Sequence, residues 1–321
     1  MKLHIPNSAF LGNIDPILRN FDPSNPDSLE ITTNDKWISV HPMVIATAAA
    51  LGATVPPGSI QFQKLEAKSR HYLLRMGLFK ILRMSSDMPE IQEREPSGRF
   101  IPLLRITTSQ ELSMFITEMI PLLHLEAEPA KTIGYIVSGL ARNVLEHAQA
   151  TNGAFLCAQY YKKSNSIRVG IADTGVGIKA TIRQAYPVET DLEAIRWALK
   201  PGITGTTRRE TGTEQNAGAG LFLIKSIASV NRDFFVVYSG NALYKLLKKT
   251  STKKQRLKAD PFDDRHSVET NLPAWKGTAV GIDITLNPTE DFSNLLDAIR
   301  QTLSAAVKER VRARHKKPRY L

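Results

Sequence analysis

The chain has 321 residues, of which 42% are hydrophobic and 23% are charged, with a net charge of +11. This length exceeds a typical single domain, so we expect two globular domains. No apolar run reaches the roughly 18 residues of a transmembrane helix, and the first residues lack a secretory signal pattern. The single cysteine, Cys157, excludes an internal disulfide. We therefore expect a cytoplasmic protein without a membrane span.

The first hundred residues predict a small α/β domain, 1–100, in which short strands and helices alternate. LEITTND and SIQFQKL are typical of strands, and PMVIATAAALGA predicts a helix opened by Pro42 and closed by Gly52. EAKSRHYLLRMGLFKILRM has apolar residues at helical spacing. The polar stretch SSDMPEIQEREPSGR, with its two prolines, then predicts the domain boundary.

The rest of the chain predicts an α/β (α+β) domain at 106–288, followed by a C-terminal helix and basic tail at 289–321. FIPLLRI predicts a strand, and Thr108 or Ser109 caps the helix that follows, with Glu111 in its first turn. Further helices and strands follow from periodicity. The predicted helices are EPAKTIGYIVSGLARNVLEHAQA, DLEAIRWALK, AGLFLIKSIASV and 291–317, and the strands are GAFLCAQYY, SIRVGIAD, DFFVVYSG, ALYKLL and GTAVGIDITLN.

A carboxylate follows the apolar strand SIRVGIA directly. Asp173 begins the sequence DTGVG, in which Gly175 and Gly177 flank a valine. A carboxylate at a strand end can accept a hydrogen bond from an exocyclic amine, and glycines allow the backbone to pass close to a planar ring. This pattern is compatible with an adenine pocket, and it is equally ordinary turn chemistry.

A second glycine pair stands before an apolar helix. Gly218 and Gly220, followed by Leu221, open the segment GAGLFLIKSIA. Free backbone N–H groups at a helix start favour an anion, so we predict a phosphate site here. The segment lacks the lysine and hydroxyl residue of a Walker loop, and no strand directly precedes it as a dinucleotide fingerprint requires.

The long helix carries two further candidates on one face. The amide of Asn143 can complete the shell of a magnesium ion held by phosphate oxygens. His147 lies one turn later and can reach a phosphate. A buried amide that serves only the core is the alternative for Asn143.

Taken in this order, RNVLEHA, ADTGVGI and NAGAGLFL resemble the asparagine box and the two glycine boxes of the GHKL superfamily of ATP-binding proteins. The resemblance covers residues 106–288 and implies a Bergerat fold, an α/β sandwich that holds ATP and Mg²⁺ under a mobile lid. It implies that Asn143 binds magnesium, that Asp173 binds the adenine amine above Gly175 and Gly177, and that the second glycine box binds the phosphates. The implied lid is 179–217, where Arg208 and Arg209 could reach the terminal phosphate or remain solvent-exposed.

One position departs from the hydrolytic members of that superfamily, which carry a glutamate four residues before the asparagine. Here that position is Gly139. Because loss of a general base costs about a hundred- to ten-thousandfold in rate, we expect slow hydrolysis. Glu146 is the nearest spare carboxylate, and it also fits a helix-surface residue.

Residues 29–53 and HYLLRMGL resemble STAS-type domains, which accompany GHKL modules in bacterial signalling. Ser39 and His41 lie near the position where phosphorylated members carry their acceptor, but neither matches it. We therefore expect a STAS-like scaffold without a phosphorylation switch.

The resemblance and the residues together predict an ATP- and Mg²⁺-operated signalling switch, with slow or partner-stimulated hydrolysis and a protein partner or a second copy. One alternative is a protein kinase of the anti-sigma or histidine-kinase type. Another is an ATP-gated nucleic-acid-binding protein, for example in phage defence, in which the basic loop 245–258 and the tail 308–319 bind phosphates. Neither cluster has interleaved aromatic residues, so a solvated loop and tail explain them equally.

Overall fold

A computed structural model describes residues 1–34, 37–63, 70–84, 99–203, 220–248, 257–286 and 292–315. The described residues form a mixed α/β (α+β) fold. The strands are β1 (Lys2–Ile5), β2 (Ser8–Ala9), β3 (Leu29–Thr33), β4 (Ser39–Val40), β5 (Ile60–Phe62), β6 (Phe100–Ile106), β7 (Ala154–Tyr161), β8 (Ser166–Ala172), β9 (Phe235–Gly240), β10 (Ala242–Leu246), β11 (His266–Glu269) and β12 (Trp275–Thr285). The α-helices are α1 (Asp15–Arg19), α2 (Pro42–Gly52), α3 (Arg70–Arg75), α4 (Leu78–Ile81), α5 (Ser109–Met114), α6 (Ala127–His147), α7 (Gly177–Ile182), α8 (Asp191–Ala198), α9 (Gly220–Asn231) and α10 (Phe292–His315). Short 3₁₀ turns lie at Leu11–Asn13, Ile120–Leu123, Lys162–Ser164 and Pro261–Asp263, and a π turn spans Phe115–Met119.

A seven-stranded sheet organises most of the chain. Its strand order is β11-β10-β9-β12-β8-β7-β6, and each neighbouring pair is antiparallel. A separate three-stranded sheet has the order β1-β3-β5 with parallel pairs, and β2 pairs with β4. The N-terminal elements therefore build their own small sheet.

Alternating side chains give the large sheet two apolar faces. On β7, Leu156 and Ala158 lie in one core while Phe155 and Cys157 lie in the other. This follows from the two-residue period of a strand. Helices α5 to α10 contribute to the first core, and the N-terminal elements form the second together with the opposite sheet face.

Helix α2 is the layer between the two sheets. All eleven of its residues are buried, as expected for a helix that is apolar on every side. Its start lies so close to β8 that a Cβ on Gly170 would overlap the backbone of Pro42 and Met43. The thiol of Cys157 on β7 donates to the Pro42 carbonyl at 3.4 Å, and burial raises the pKa of this thiol. Cys157 is therefore a buried strand residue.

The predicted strands and helices are largely confirmed, and the structure adds several short elements that were not predicted: β1, β2, β4, α1 and α7. The helix expected over 66–84 is, in its described part 70–84, divided into two short helices, because Gly77 adopts a left-handed φ of 80° and ends the first one. β11 was not predicted either. Of the two proposed caps for α5, Thr108 is the residue whose side chain accepts from the Glu111 backbone.

The predicted boundary segment, 85–98, lies outside the described residues, and the division at residue 100 stays a prediction. The second core contains residues from both sides of it, such as Leu3, Met43 and Tyr238. The C-terminal helix predicted over 291–317 is confirmed as α10, which buries Leu295 and Ile299. No helix among the described residues has the length and apolar character needed to cross a bilayer.

Candidate functional site

Asp173 lies directly after β8 and is held by its backbone as well as its side chain. Its N–H donates to the Thr278 carbonyl at 2.9 Å, and its own carbonyl accepts from the Trp275 indole at 3.1 Å. The side-chain oxygen Oδ1 accepts from the Gly175 N–H at 2.8 Å. The residue is 1% exposed. Burial raises the pKa of Asp173 to about 7, although the N–H groups of Gly175 and Thr278 act in the opposite direction.

The loop after Asp173 packs against the C-terminal end of α6. The Val176 N–H donates to the Ala148 carbonyl at 2.8 Å. A Cβ on Gly175 would overlap that same carbonyl, so the close approach requires glycine. Gly177 has a φ of 77° and begins α7, which also favours glycine. The sequence pattern DTGVG therefore brings the end of β8 onto the helix that carries Asn143.

Sequence reasoning missed the residues that form the other side of this loop. The Ser239 hydroxyl accepts from the Ile178 N–H at 3.0 Å and donates to the Gly277 carbonyl at 2.7 Å. Ser239 is the penultimate residue of β9, and Gly277 is in β12, which pairs with β9. These contacts depend on strand pairing across about 40 to 100 residues of sequence, and no local motif indicates them.

Asn143 lies on the face of α6 that meets the start of α9. Its side-chain Oδ1 and Nδ2 are 3.3 and 3.4 Å from the position that a Cβ on Gly220 would occupy. Among the described residues, Nδ2 of Asn143 is buried and has no hydrogen-bond partner. One turn later, Nδ1 of His147 is likewise buried and unpaired within the described chain. Two unsatisfied polar atoms on one helix face indicate a missing polar partner.

The position of the absent glutamate is filled by apolar packing. A Cβ on Gly139 would lie 3.3 Å from Cδ1 of Ile224 in α9. The α6–α9 contact therefore has little room for a carboxylate. Glu146 is exposed, and its Oε2 is 4.0 Å from Nε2 of His147.

Part of the predicted nucleotide site and lid lies outside the described residues: Gly218, Arg208 and Arg209. Leu221 is half-buried and packs against the first core. Residues 179–203 of the predicted lid include most of α7 and all of α8, with Tyr186 stacked on Trp197 at 4.8 Å between ring centroids. This portion is packed against the core, and the remainder of the predicted lid, 204–217, is not among the described residues.

The basic loop differs from a uniformly exposed cluster. Lys245 lies in β10, is 5% exposed, and its Nζ is 2.7 Å from Oδ1 of Asp15. Lys248 and Lys258 are exposed, and the intervening 249–256 lie outside the described residues. Lys245 is therefore satisfied internally and does not belong with the predicted phosphate-binding residues.

The site combines a buried hydrogen-bond acceptor, a close-packed glycine loop, and amide and imidazole atoms that have no hydrogen-bond partner in the described ranges. Such a set can bind a ligand that carries both an amine donor and anionic oxygens. In the described part of the chain, no three His, Cys, Asp or Glu side chains come together as a metal site. No protein-family model matches the chain, and no curated protein matches it.

Proposed function

We propose that the chain is an ATP- and Mg²⁺-binding signalling switch with a nucleotide site of the GHKL type. The observation that carries the proposal is the junction of α6 with the loop after β8. There the buried carboxyl of Asp173, and the side-chain atoms of Asn143 and His147 that have no partner among the described residues, are supplied by elements in direct contact. A buried acid with a raised pKa, on a loop that contacts a helix with unsatisfied polar groups in its described surroundings, is typical of a functional site.

We assign roles in ATP and Mg²⁺ binding to these residues and to the second glycine box. Asp173 would accept from the adenine amine, and the close-packed glycine loop, Gly175 to Gly177, would allow the base to approach. Asn143 would hold Mg²⁺ together with phosphate oxygens, and His147 would donate to a phosphate. The start of α9 at Gly220 and Leu221, together with Gly218, would supply backbone N–H groups to the phosphates.

We propose that the binding of ATP, more than its hydrolysis, changes the state of the protein. The usual general base is absent at Gly139, and Ile224 occupies the adjoining space. ATP would stabilise one arrangement of the site, and that arrangement would present a surface to a protein partner or a second copy. A switch of this kind needs only differential affinity between two states.

The test is ATP affinity measured by calorimetry with Mg²⁺ present, alongside ATP turnover. Asp173→Ala and Asn143→Ala should each weaken binding at least tenfold. Two matched controls should bind like the parent. Asp233→Asn alters another buried aspartate with a raised pKa, at the far end of β12, and Arg142→Ala alters the exposed neighbour of Asn143.

The parent should hydrolyse ATP very slowly. Unchanged affinity in both site variants would overturn the proposal and leave Asp173 as a turn residue. Transfer of labelled phosphate from ATP onto protein would instead support the kinase alternative. Brisk hydrolysis would show that a base other than a residue at position 139 operates.

A further inference from the structure

A cleft of about 560 Å³ lies on the side of the large sheet that faces the N-terminal elements. It opens between α3 and the adjoining ends of β6 and β7. Its lining residues are Tyr72, Arg75, Met76, Arg99, Phe100, Gln159, Tyr160 and Lys162. This volume is in the range of small-molecule sites.

The charged side chains among the described lining residues of the cleft are all cationic. Arg75, Arg99 and Lys162 are exposed, and none forms an ion pair with an acidic side chain in the described ranges. They come from three separate parts of the chain, α3, the start of β6 and the turn after β7. Folding thus brings together three like charges whose mutual repulsion an anion would relieve.

The polar groups of the cleft wall are oriented by a hydrogen-bond network. Oε1 of Gln159 accepts from the Tyr161 hydroxyl at 2.9 Å and lies 2.8 Å from the Tyr72 hydroxyl, whose single proton is shared with the Val40 carbonyl at 3.0 Å. With its oxygen engaged, the Gln159 amide has its NH₂ group as the remaining hydrogen-bonding function. Met76 and Phe100 are buried and supply an apolar floor. The cleft therefore offers donors and an apolar surface, and none of its described lining residues is a carboxylate.

This cleft is separate from the site around Asp173. Gln159 is four residues along β7 from Phe155, which pairs with Ala172 next to Asp173. At about 3.3 Å per residue, this places the two sites roughly 13 Å apart along the strands. The cleft also involves α3, whereas the site around Asp173 involves α6 and α9.

We propose that this cleft binds a small molecule that carries two or more phosphate groups. One phosphate carries at most about two negative charges, so three cations match more than one. Two of the three are guanidinium groups, which bind phosphate oxygens in pairs. The apolar floor accommodates the body that joins the phosphates. The ligand is a second one for this chain, and its binding does not depend on ATP binding.

The test is calorimetric titration with inorganic pyrophosphate at about 0.15 M salt, where weak surface attraction is screened. Arg75→Gln combined with Lys162→Gln should weaken binding at least tenfold. The matched control is Lys80→Gln combined with Arg312→Gln, which removes the same charge from exposed positions elsewhere and should bind within twofold of the parent. Thermal unfolding should show that both proteins fold like the parent.

Two further titrations test whether the ATP site contributes to pyrophosphate binding and whether the cleft prefers phosphate groups to carboxylates. Asn143→Ala, which alters the proposed ATP site, should retain pyrophosphate binding, so failure at one site is not mistaken for failure at the other. Citrate should bind more weakly than pyrophosphate. Equal loss in the cleft and control variants, absence of pyrophosphate binding, or a preference for citrate would overturn the proposal.

Discussion

Asp173 holds its carboxyl group in surroundings that favour the neutral form. The raised pKa of about 7 is caused first by burial, and only two backbone N–H groups oppose it. Because the unfolded chain has a carboxyl pKa near 4, the folded protein binds a proton that the unfolded protein releases between about pH 4 and pH 7. Stability that is present at low pH is therefore lost as the pH rises through this window.

We expect Asp173→Asn to stabilise the protein at pH 8. The substitution removes a buried ionisable group and keeps an oxygen that can accept from the Gly175 N–H. The gain is roughly 4 kcal/mol at most, from the size of the pKa change. Urea unfolding at pH 5 and pH 8 measures it, and the gain should be larger at pH 8.

Asp233→Asn provides the comparison, because burial raises the pKa of Asp233 to about 6. It should show the same direction with a smaller gain at pH 8, while ATP affinity stays at the parental value. If Asp173→Asn is instead less stable at pH 8 than the parent, the carboxylate is better solvated or hydrogen-bonded than its burial indicates.

At the scale of elements, the contact between α6 and α9 decides whether a general base can be introduced. We expect Gly139→Glu combined with Ile224→Ala to raise ATP turnover at least tenfold. The second change removes the side chain 3.3 Å from the new Cβ, and a positioned base contributes about a hundred- to ten-thousandfold when its geometry is ideal. Phosphate release under saturating ATP measures the effect.

The matched control for this design is Gly139→Gln with Ile224→Ala, which has the same shape without a base and should remain as slow as the parent. Equal rates in the Glu and Gln proteins would show that position 139 does not face the reacting phosphate.

Helix α9 is anchored at its middle by a fully buried ion pair. Nζ of Lys225 is 2.8 Å from Oδ2 of Asp264, whose other oxygen accepts from the Ser229 hydroxyl at 2.9 Å. Both side chains are 0% exposed. Removing one partner leaves a buried charge without compensation, which typically costs 3–5 kcal/mol.

We therefore expect Lys225→Met to destabilise the protein by about 3–5 kcal/mol in urea unfolding. Adding Asp264→Asn should recover part of the loss, because it removes the uncompensated charge. A single substitution that costs less than about 1 kcal/mol would mean that the Asp264 carboxyl becomes neutral or hydrated at little cost.

The same elements show what the sequence could predict. The long helix α6 and strands such as β8 have strong periodicity, and the Thr108 cap has a local motif, so these follow from the chain directly. In contrast, β11 is only four residues long, and it exists because it pairs with β10. The candidate site follows the same division: Asp173 stands in a local motif, whereas Ser239 reaches the site only through the pairing of β9 with β12.

At the scale of the whole molecule, α2 connects two sheets that the sequence assigns to separate domains. The sequence of α2 is apolar on every side of the helix. A helix with this composition is expected to be buried on all sides. Strands β7 and β8 of the large sheet cover one side of α2, and Phe155 and Cys157 of β7 share a core with this helix. This arrangement predicts that the N-terminal elements and the large sheet unfold together.

Gly170→Ala tests this coupling. The new Cβ would overlap the backbone at Pro42 and Met43, and a helix backbone packed on both sides cannot move aside easily. We expect the free energy of unfolding to fall by about 3 kcal/mol, at the upper end for overpacking, within one cooperative transition seen by circular dichroism and by tryptophan fluorescence.

The control is Gly134→Ala in α6, whose Cβ would meet only ordinary contacts at 3.6 Å or more. It should be neutral or stabilise the protein by up to about 1 kcal/mol. Two separate transitions, with only one shifted by Gly170→Ala, would show that the N-terminal elements fold as an independent domain that merely rests on the sheet.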